Sequence, residues 1–126
     1  MLRANRIPKL LQKIRICSNL IGFCSRLIFI AEIDSTPVGY AYAEILRLAE
    51  TPLRHAWDEI HLHHISVRPA YRRRGVAGAL LDAVRNAGKV RGIDLVTLQA
   101  WTFNEAAHGF FRSKGFSPYM ERLWLR

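Results

Sequence analysis

A chain of 126 residues, half of them hydrophobic, is sized for one domain with a substantial core and excludes extensive disorder. Its 19 Lys and Arg against 10 Asp and Glu leave a formal charge of +9, which favours an anionic partner: a phosphorylated cofactor, nucleic acid or a membrane surface. Cys17 and Cys24 lack CxxC spacing and any cysteine–histidine cluster, which argues against a zinc site and fits reduced thiols in a cytoplasmic protein.

Six basic residues, from Arg3 to Arg26, precede the first acid, Glu32. The apolar run "ICSNLIGFCSRLIFI" is broken by Asn19 and Arg26, offers no small-residue cleavage site and falls short of the ~18 apolar residues of a membrane span. The segment therefore reads as part of the fold. In "RIPKLLQKIRICSNL", Ile7, Leu10, Leu11, Ile14 and Cys17 recur at helical steps behind Pro8, which predicts a short amphipathic helix after a brief strand at Leu2 to Asn5. "RLIFIAEID" is β-branched and aromatic, "STP" turns, and "VGYAYAEILRLA" runs back with Tyr40 and Tyr42 on one face: a hairpin.

A loop, "ETPLRHAW", leads to the strand "DEIHLHHISV", which Pro69 stops because it has no backbone donor. The next helix spans Val76 to Lys89, with Val76, Leu80, Leu81, Val84 and Ala87 facing inward and Gly88 or Gly92 ending it. "IDLVTLQAW" is a further strand. "NEAAHGFFRSKGF" is a helix capped by Asn104 and closed by Gly115, and "YMERLWLR" is expected as a closing strand. With no repeat or linker, residues 1–126 read as a single domain of α/β or α+β class, built around a mixed sheet.

The stretch "VRPAYRRRGVAGALL" carries the chemistry. A helix begins at Val76, where the first backbone N–H groups have no partner within the helix and the dipole is positive. Gly75, Ala77 and Gly78 keep bulk away, while Arg72, Arg73 and Arg74 add positive field, so the pattern describes an anion cradle at a strand–loop–helix junction. It is not a Walker loop, because "GVAGAL" lacks Gly-Lys-Ser/Thr. A dinucleotide fingerprint also fits poorly: seven residues separate Val67 from Gly75, although Asp94 lies near the spacing of a ribose-binding acid.

"ISVRPAYRRRGVAGALL" resembles the acyl-CoA-binding motif of the GNAT superfamily of N-acetyltransferases, Arg/Gln-x-x-Gly-x-Gly/Ala, filled here by Arg72, Gly75 and Ala77. A second GNAT motif is similar to "NEAAHGFFRSKGF", through Asn104, Ala107, Phe110, Gly115 and Phe116. The resemblance runs from about Leu27 to the C-terminus. It implies a mixed, mostly antiparallel sheet flanked by helices, with a shortened N-terminal region and a V-shaped opening between "HLHHISV" and "DLVTLQAW". It further implies that Ile65, Ser66 and Val67 hold the pantetheine and thioester through their backbone. The amides from Arg73 through Gly75, Val76 and Ala77 to Gly78 would bind the diphosphate, and Asn104 would contact the CoA arm.

The implied reaction is direct acetyl transfer from acetyl-CoA to a primary amine, without a metal. A lysine-like amine is neutral in only about one molecule in a thousand at pH 7, so a base is useful. His61 stands six residues before Val67, where some GNAT enzymes carry a glutamate base, and a histidine suits that task at neutral pH. Glu59 and His63 share its face under strict alternation and are the alternatives, with a bulge able to re-aim any of them. Where many members have a tyrosine that protonates the leaving thiolate, this chain has Phe111, so the resemblance implies no such acid. Gln99 likewise replaces a glutamate found in certain relatives.

Phe110, Phe111 and Phe116 are expected in the core and His108 at the surface; Trp57, Trp101 and Tyr119 are candidates to line the acceptor pocket, with simple burial as the default for aromatic side chains. The preferred partners are acetyl-CoA and an amine acceptor rather than nucleic acid or membrane, with homodimer formation open. A non-catalytic acyl-CoA-binding module of the same fold is the alternative.

Overall fold

The computed structural model describes residues 14–21 and 25–126. Five strands form one sheet in the order β1-β2-β3-β4-β5: β1 (Ile14–Ile21), β2 (Arg26–Ile33), β3 (Thr36–Leu48), β4 (Trp57–Val67) and β5 (Val96–Leu98). Neighbours are antiparallel except β4 and β5, which run parallel. The required crossover is α1 (Val76–Lys89), and α2 (Glu105–Ser113) follows β5. This is the mixed, mostly antiparallel α+β arrangement expected.

Two predicted elements are corrected. Ile14 to Cys17 lie in β1, with Ile14 opposite Ile33 and Cys17 opposite Ile30, rather than in a helix. Ile14 and Ile16 pack on the core at every second position, a period-2 pattern that the longer-range helical spacing had masked. The rest of that predicted helix, the strand at Leu2 to Asn5 and Cys24 lie outside the described residues. At the other end, "YMERLWLR" is no strand: Tyr119, Met120, Leu123, Trp124 and Leu125 are exposed. Alternation marks a strand only where a neighbour supplies a ladder, and β5 pairs with β4 alone.

The β2–β3 hairpin closes on two residues, Asp34 and Ser35, both at positive φ (50° and 64°), the handedness that matches strand twist. One sheet face is apolar: Leu27, Phe29, Ala31, Val38, Ala41, Ala43, Ile60 and Leu62 are buried. Val76, Leu80, Leu81 and Val84 of α1 complete the core with them, at about 1.5–3 kcal/mol for each large aliphatic side chain buried.

The two glycine candidates for the end of α1 play separate parts. Gly88 stays helical, and a β-carbon there would stand 2.7 Å from the Ile93 carbonyl oxygen and 3.3 Å from Ile60 Cγ2, so its bareness lets the helix end sit on β4. Gly92, at φ 74°, turns the chain, and the Ile93 amide returns to the Gly88 carbonyl at 2.8 Å. Among the described residues, no helix is long and apolar enough to cross a membrane.

Candidate active site

β4 organises the site, and a single extra residue sets its faces. Leu62 lies opposite Ala43 and His64 opposite Tyr42, so His63 is a bulge. Before it, Ile60 and Leu62 enter the core while Glu59 and His61 take the other face; after it the parity inverts, so that Val67 is buried and His64 and Ser66 are exposed. The three-way sharing of a face by Glu59, His61 and His63 therefore holds, with His64 added: the Tyr42 ring stacks on His63 at 5.1 Å and on His64 at 6.2 Å. Gly39 sets the approach of β3 to the end of β4, since a β-carbon there would meet the Ser66 carbonyl oxygen at 2.8 Å.

β5 accompanies β4 only from Ile60 to Leu62, paired with Val96 to Leu98. Beyond that ladder β4 runs on to Val67 without a strand on its β5 side. Among the described residues, the stretch from Ile65 through Ser66 to Val67 thus borders an opening between the two strands.

The chain then turns through Pro69–Tyr71 and three exposed arginines into α1. Arg72 Nε donates to the Val67 carbonyl at 3.1 Å, fastening the loop to the strand end. Arg73 is held at φ 62°, a region disfavoured for side-chain-bearing residues, and Arg74 lies 5.2 Å over the Tyr71 ring. Gly75 caps α1 at φ 83°, and no side chain caps the helix. The first helical bond is Ala79 N–H to the Gly75 carbonyl; among the described residues, none of the amides of residues 73–78 donates to a protein acceptor. These bare donors, including those of Val76, Ala77 and Gly78, lie at the positive end of α1, an arrangement of the kind that can receive an anion.

Lys114 adds a cation that the sequence reading passed over. Its ammonium stands 3.2 Å from where a β-carbon of Gly78 would lie, and 5.9 Å from the Phe110 ring centroid. The residue falls within the quoted "SKGF", but its nearness to α1 depends on how α2 docks, which no local pattern encodes. Asn104 Oδ1 accepts from the Ala107 amide at 3.2 Å as the N-cap of α2. Phe111 is half-buried and meets Phe110 and Phe116 edge-on at 5.2 and 5.5 Å, so it packs against the core and supplies no hydroxyl. Trp101 and Tyr119 are exposed, as is Gln99. His108 Nε2 lies 2.9 Å from the Trp101 carbonyl oxygen.

The remaining polar groups gather around His61. Its Nδ1 lies 2.8 Å from Thr97 Oγ1 on β5, and Thr97 Oγ1 in turn hydrogen-bonds Glu59 Oε2. Glu59 Oε1 accepts from Trp57 Nε1 at 3.2 Å, so both oxygens of this buried side chain are engaged. His63 Nε2 sits 2.9 Å from Glu44 Oε1 of β3, whose other oxygen is 3.8 Å from Arg26 Nε of β2. Burial, and secondarily the neighbouring His63, hold His61 below the usual 6.5 of a histidine, while Glu59 and Glu44 pull the other way. His61 is thus neutral at neutral pH, with its Nε2 engaged by no hydrogen bond among the described residues. Of the three candidate bases, Glu59 is sequestered, His63 is bonded to Glu44 and His61 keeps a nitrogen available. Among the described residues, no group of three or more His, Cys, Asp or Glu side chains is arranged to hold a metal.

Residues 24–118 match the family model described as acetyltransferase (GNAT) domain. An uncharacterised N-acetyltransferase of Methanocaldococcus jannaschii is 28% identical over 99 residues, covering 78% of this chain and 42% of that protein. An uncharacterised Mycobacterium leprae protein is 40% identical over 96 residues, covering 76% of this chain and 23% of that protein. The chain thus spans less than half the length of either relative. The aminoglycoside N-acetyltransferase AAC(6')-Iy, solved in complex with CoA, has a similar structure, with a TM-score of 0.70 and 26% identity over 81% of this chain and 66% of that one. The same enzyme with the bisubstrate analogue CoA-S-monomethyl-acetylneamine gives a TM-score of 0.71, also at 26% identity, over 81% of this chain and 69% of that one.

Proposed function

The chain belongs to the GNAT acetyltransferase family, and on that premise we propose that it transfers the acetyl group of acetyl-CoA directly to a primary amine. The observation that carries this reading is the row of unengaged amides at residues 73–78, set where α1 begins beside the strand end at Val67. In this reading the diphosphate of CoA lies on those amides, with Arg72, Arg73, Arg74 and Lys114 contributing positive field. Pantetheine follows the backbone of Ile65, Ser66 and Val67 into the gap left by β5, which brings the thioester toward His61.

His61 Nε2 then takes a proton from the acceptor ammonium, and the freed nitrogen lone pair attacks the thioester carbonyl. Main-chain donors of β4 stabilise the tetrahedral oxyanion. Collapse breaks the C–S bond, and the second proton on the attacking nitrogen passes through water to the departing CoA thiolate, so that amide and CoA thiol are released. A thiol with pKa near ~8.5 is a tolerable leaving group, so water can return the proton in the absence of a tyrosine at Phe111. The aminoglycoside acetyltransferase likeness makes amino sugars one acceptor class to include, beside polyamines and lysine side chains.

Two measurements test this. Calorimetry should give micromolar-range binding of acetyl-CoA; no heat together with no thermal shift refutes it. Thiol release from acetyl-CoA should follow addition of an amine from a panel of neamine, spermidine and a lysine peptide. The lack of a hydroxyl at Phe111 motivates the second reading, an acyl-CoA-binding module, which predicts binding with no turnover on any amine.

A further inference from the structure

The hydrogen bonds at His61 fix more than its position. A threonine hydroxyl has one proton to give. Thr97 Oγ1 donates that proton to Glu59 Oε2, so it can offer His61 only its lone pairs. The His61 nitrogen 2.8 Å away, Nδ1, must therefore carry the ring proton, which leaves Nε2 bare. As a carboxylate Glu59 only accepts, at Oε2 from Thr97 and at Oε1 from Trp57 Nε1 at 3.2 Å, which sets the direction of the chain. Both relay members are nearly sealed from solvent, Glu59 at 5% and Thr97 at 4% exposure, although polar groups are costly to bury. A valine would suit position 97 of a strand better if packing alone were at stake.

We propose that Thr97 and Glu59 are positioning residues that lock His61 in the Nδ1–H tautomer and pass the carboxylate's charge to its ring, so that Nε2 accepts the amine proton. This deepens, and rests on, the reading of His61 as the base. When the amine N–H bond breaks, the proton forms a bond to Nε2 and the ring becomes an imidazolium. Its Nδ1–H stays on Thr97, and the Glu59 carboxylate, one hydroxyl away, offsets the new charge; the amine lone pair goes to the thioester carbon. The arrangement shares the logic of a serine-protease triad, in which a buried acid orients a histidine without itself taking the proton.

The other charged groups around the ring are accounted for. Glu44 reaches in from β3 but is held by His63 at 2.9 Å and by Arg26 of β2 at 3.8 Å, while the His63 ring meets that of His61 edge-on with centroids 4.8 Å apart.

Nitrogen-15 long-range correlation NMR of the ligand-free protein at slightly alkaline pH reads the tautomer directly. The wild type should show His61 with Nδ1 protonated and Nε2 bare. Thr97→Val, nearly isosteric and suited to a strand, should release the lock into a tautomer mixture, and Thr97→Ser should restore it. Glu59→Gln should move the His61 titration to lower pH, the sign expected when a nearby carboxylate is removed. In turnover, Thr97→Val should lower kcat/KM by less than the ~10²–10⁴-fold that a positioned base supplies, with kcat falling more than KM changes. A dominant Nε2–H tautomer in the wild type overturns the proposal, as does a Thr97→Val protein with unaltered tautomer and titration. The NMR readout needs neither cofactor nor acceptor. A locked His61 in a protein that acetylates no amine therefore upholds the relay and refutes the base, whereas an unlocked His61 in an active enzyme refutes the relay and leaves the acetyltransferase reading standing.

Discussion

Gly75 and Gly92 form a matched pair at the two ends of α1, and substituting each by leucine separates backbone strain from cofactor binding. Both glycines hold left-handed backbone, φ 83° and 74°, and at each a β-carbon would meet nothing within 4 Å. Forcing an L-residue into that region costs about 1–2 kcal/mol. Loss of chain entropy in the unfolded state returns about 0.4–1 kcal/mol. Each variant should therefore be destabilised by roughly 1 kcal/mol, a fall in Tm of about 3–6 °C for a domain of this size.

That strain is present with and without ligand, so it cancels from the affinity. Only Gly75 borders the open amides, and a side chain there should displace the diphosphate from at least one of them. A hydrogen bond to a charged group is worth about 1.5–3 kcal/mol, which corresponds to a ~10- to 150-fold rise in Kd. Differential scanning fluorimetry gives the first quantity and calorimetric titration with acetyl-CoA the second. Equal losses of affinity in the two variants, or none in Gly75→Leu, would refute the amide cradle.

The remaining expectations concern pH, charge and packing. Because His61 titrates below 6.5 in the folded protein, kcat/KM should rise with pH through an inflection below 6.5, and Glu59→Gln should lower that inflection; a limb centred above 6.5 excludes His61 as the base. The same depressed value means the unfolded chain binds the extra proton first, so this group's contribution to stability declines as pH falls below about 6.5. Lys114→Met should raise the Kd for acetyl-CoA by up to about fivefold and flatten its dependence on salt, as titrations at two ionic strengths would register. Gly88→Ala should destabilise, since its β-carbon would press on the Ile93 carbonyl at 2.7 Å, whereas Gly109→Ala, with open space in α2, should stabilise by about 0.5–1 kcal/mol; thermal melts that agree in sign would contradict the packing argument.

How much of this was legible depends on whether the signal was local. The arginines, Gly75 and the stripe Val76, Leu80, Leu81, Val84 lie within a few turns of one another, and α1 begins and ends where the periodicity places it. Asn104 as a cap is equally local. β1 was misread because Ile14 and Cys17 fit a helical stripe as well as a strand, and only pairing with β2 decides between them. The tail from Tyr119 failed for the converse reason: alternation without a partner makes no strand. Glu59 and His61 were legible as a shared face, but Thr97 was not. It joins them through a parallel register 36 residues from His61 in sequence, which no spacing rule reaches.

The brevity of the β4–β5 ladder, three residue pairs, also bears on how the molecule breathes. Everything after Leu98 is tethered to the larger sheet by this narrow seam and by aromatic packing at Phe111 and Phe116. Deuterium should enter the amides of Val96 to Leu98 well before those of the long β2–β3 hairpin. A cofactor wedged into the gap would touch both sides of the seam, so its arrival should slow that exchange, making the weakest joint of the sheet a natural gauge of occupancy.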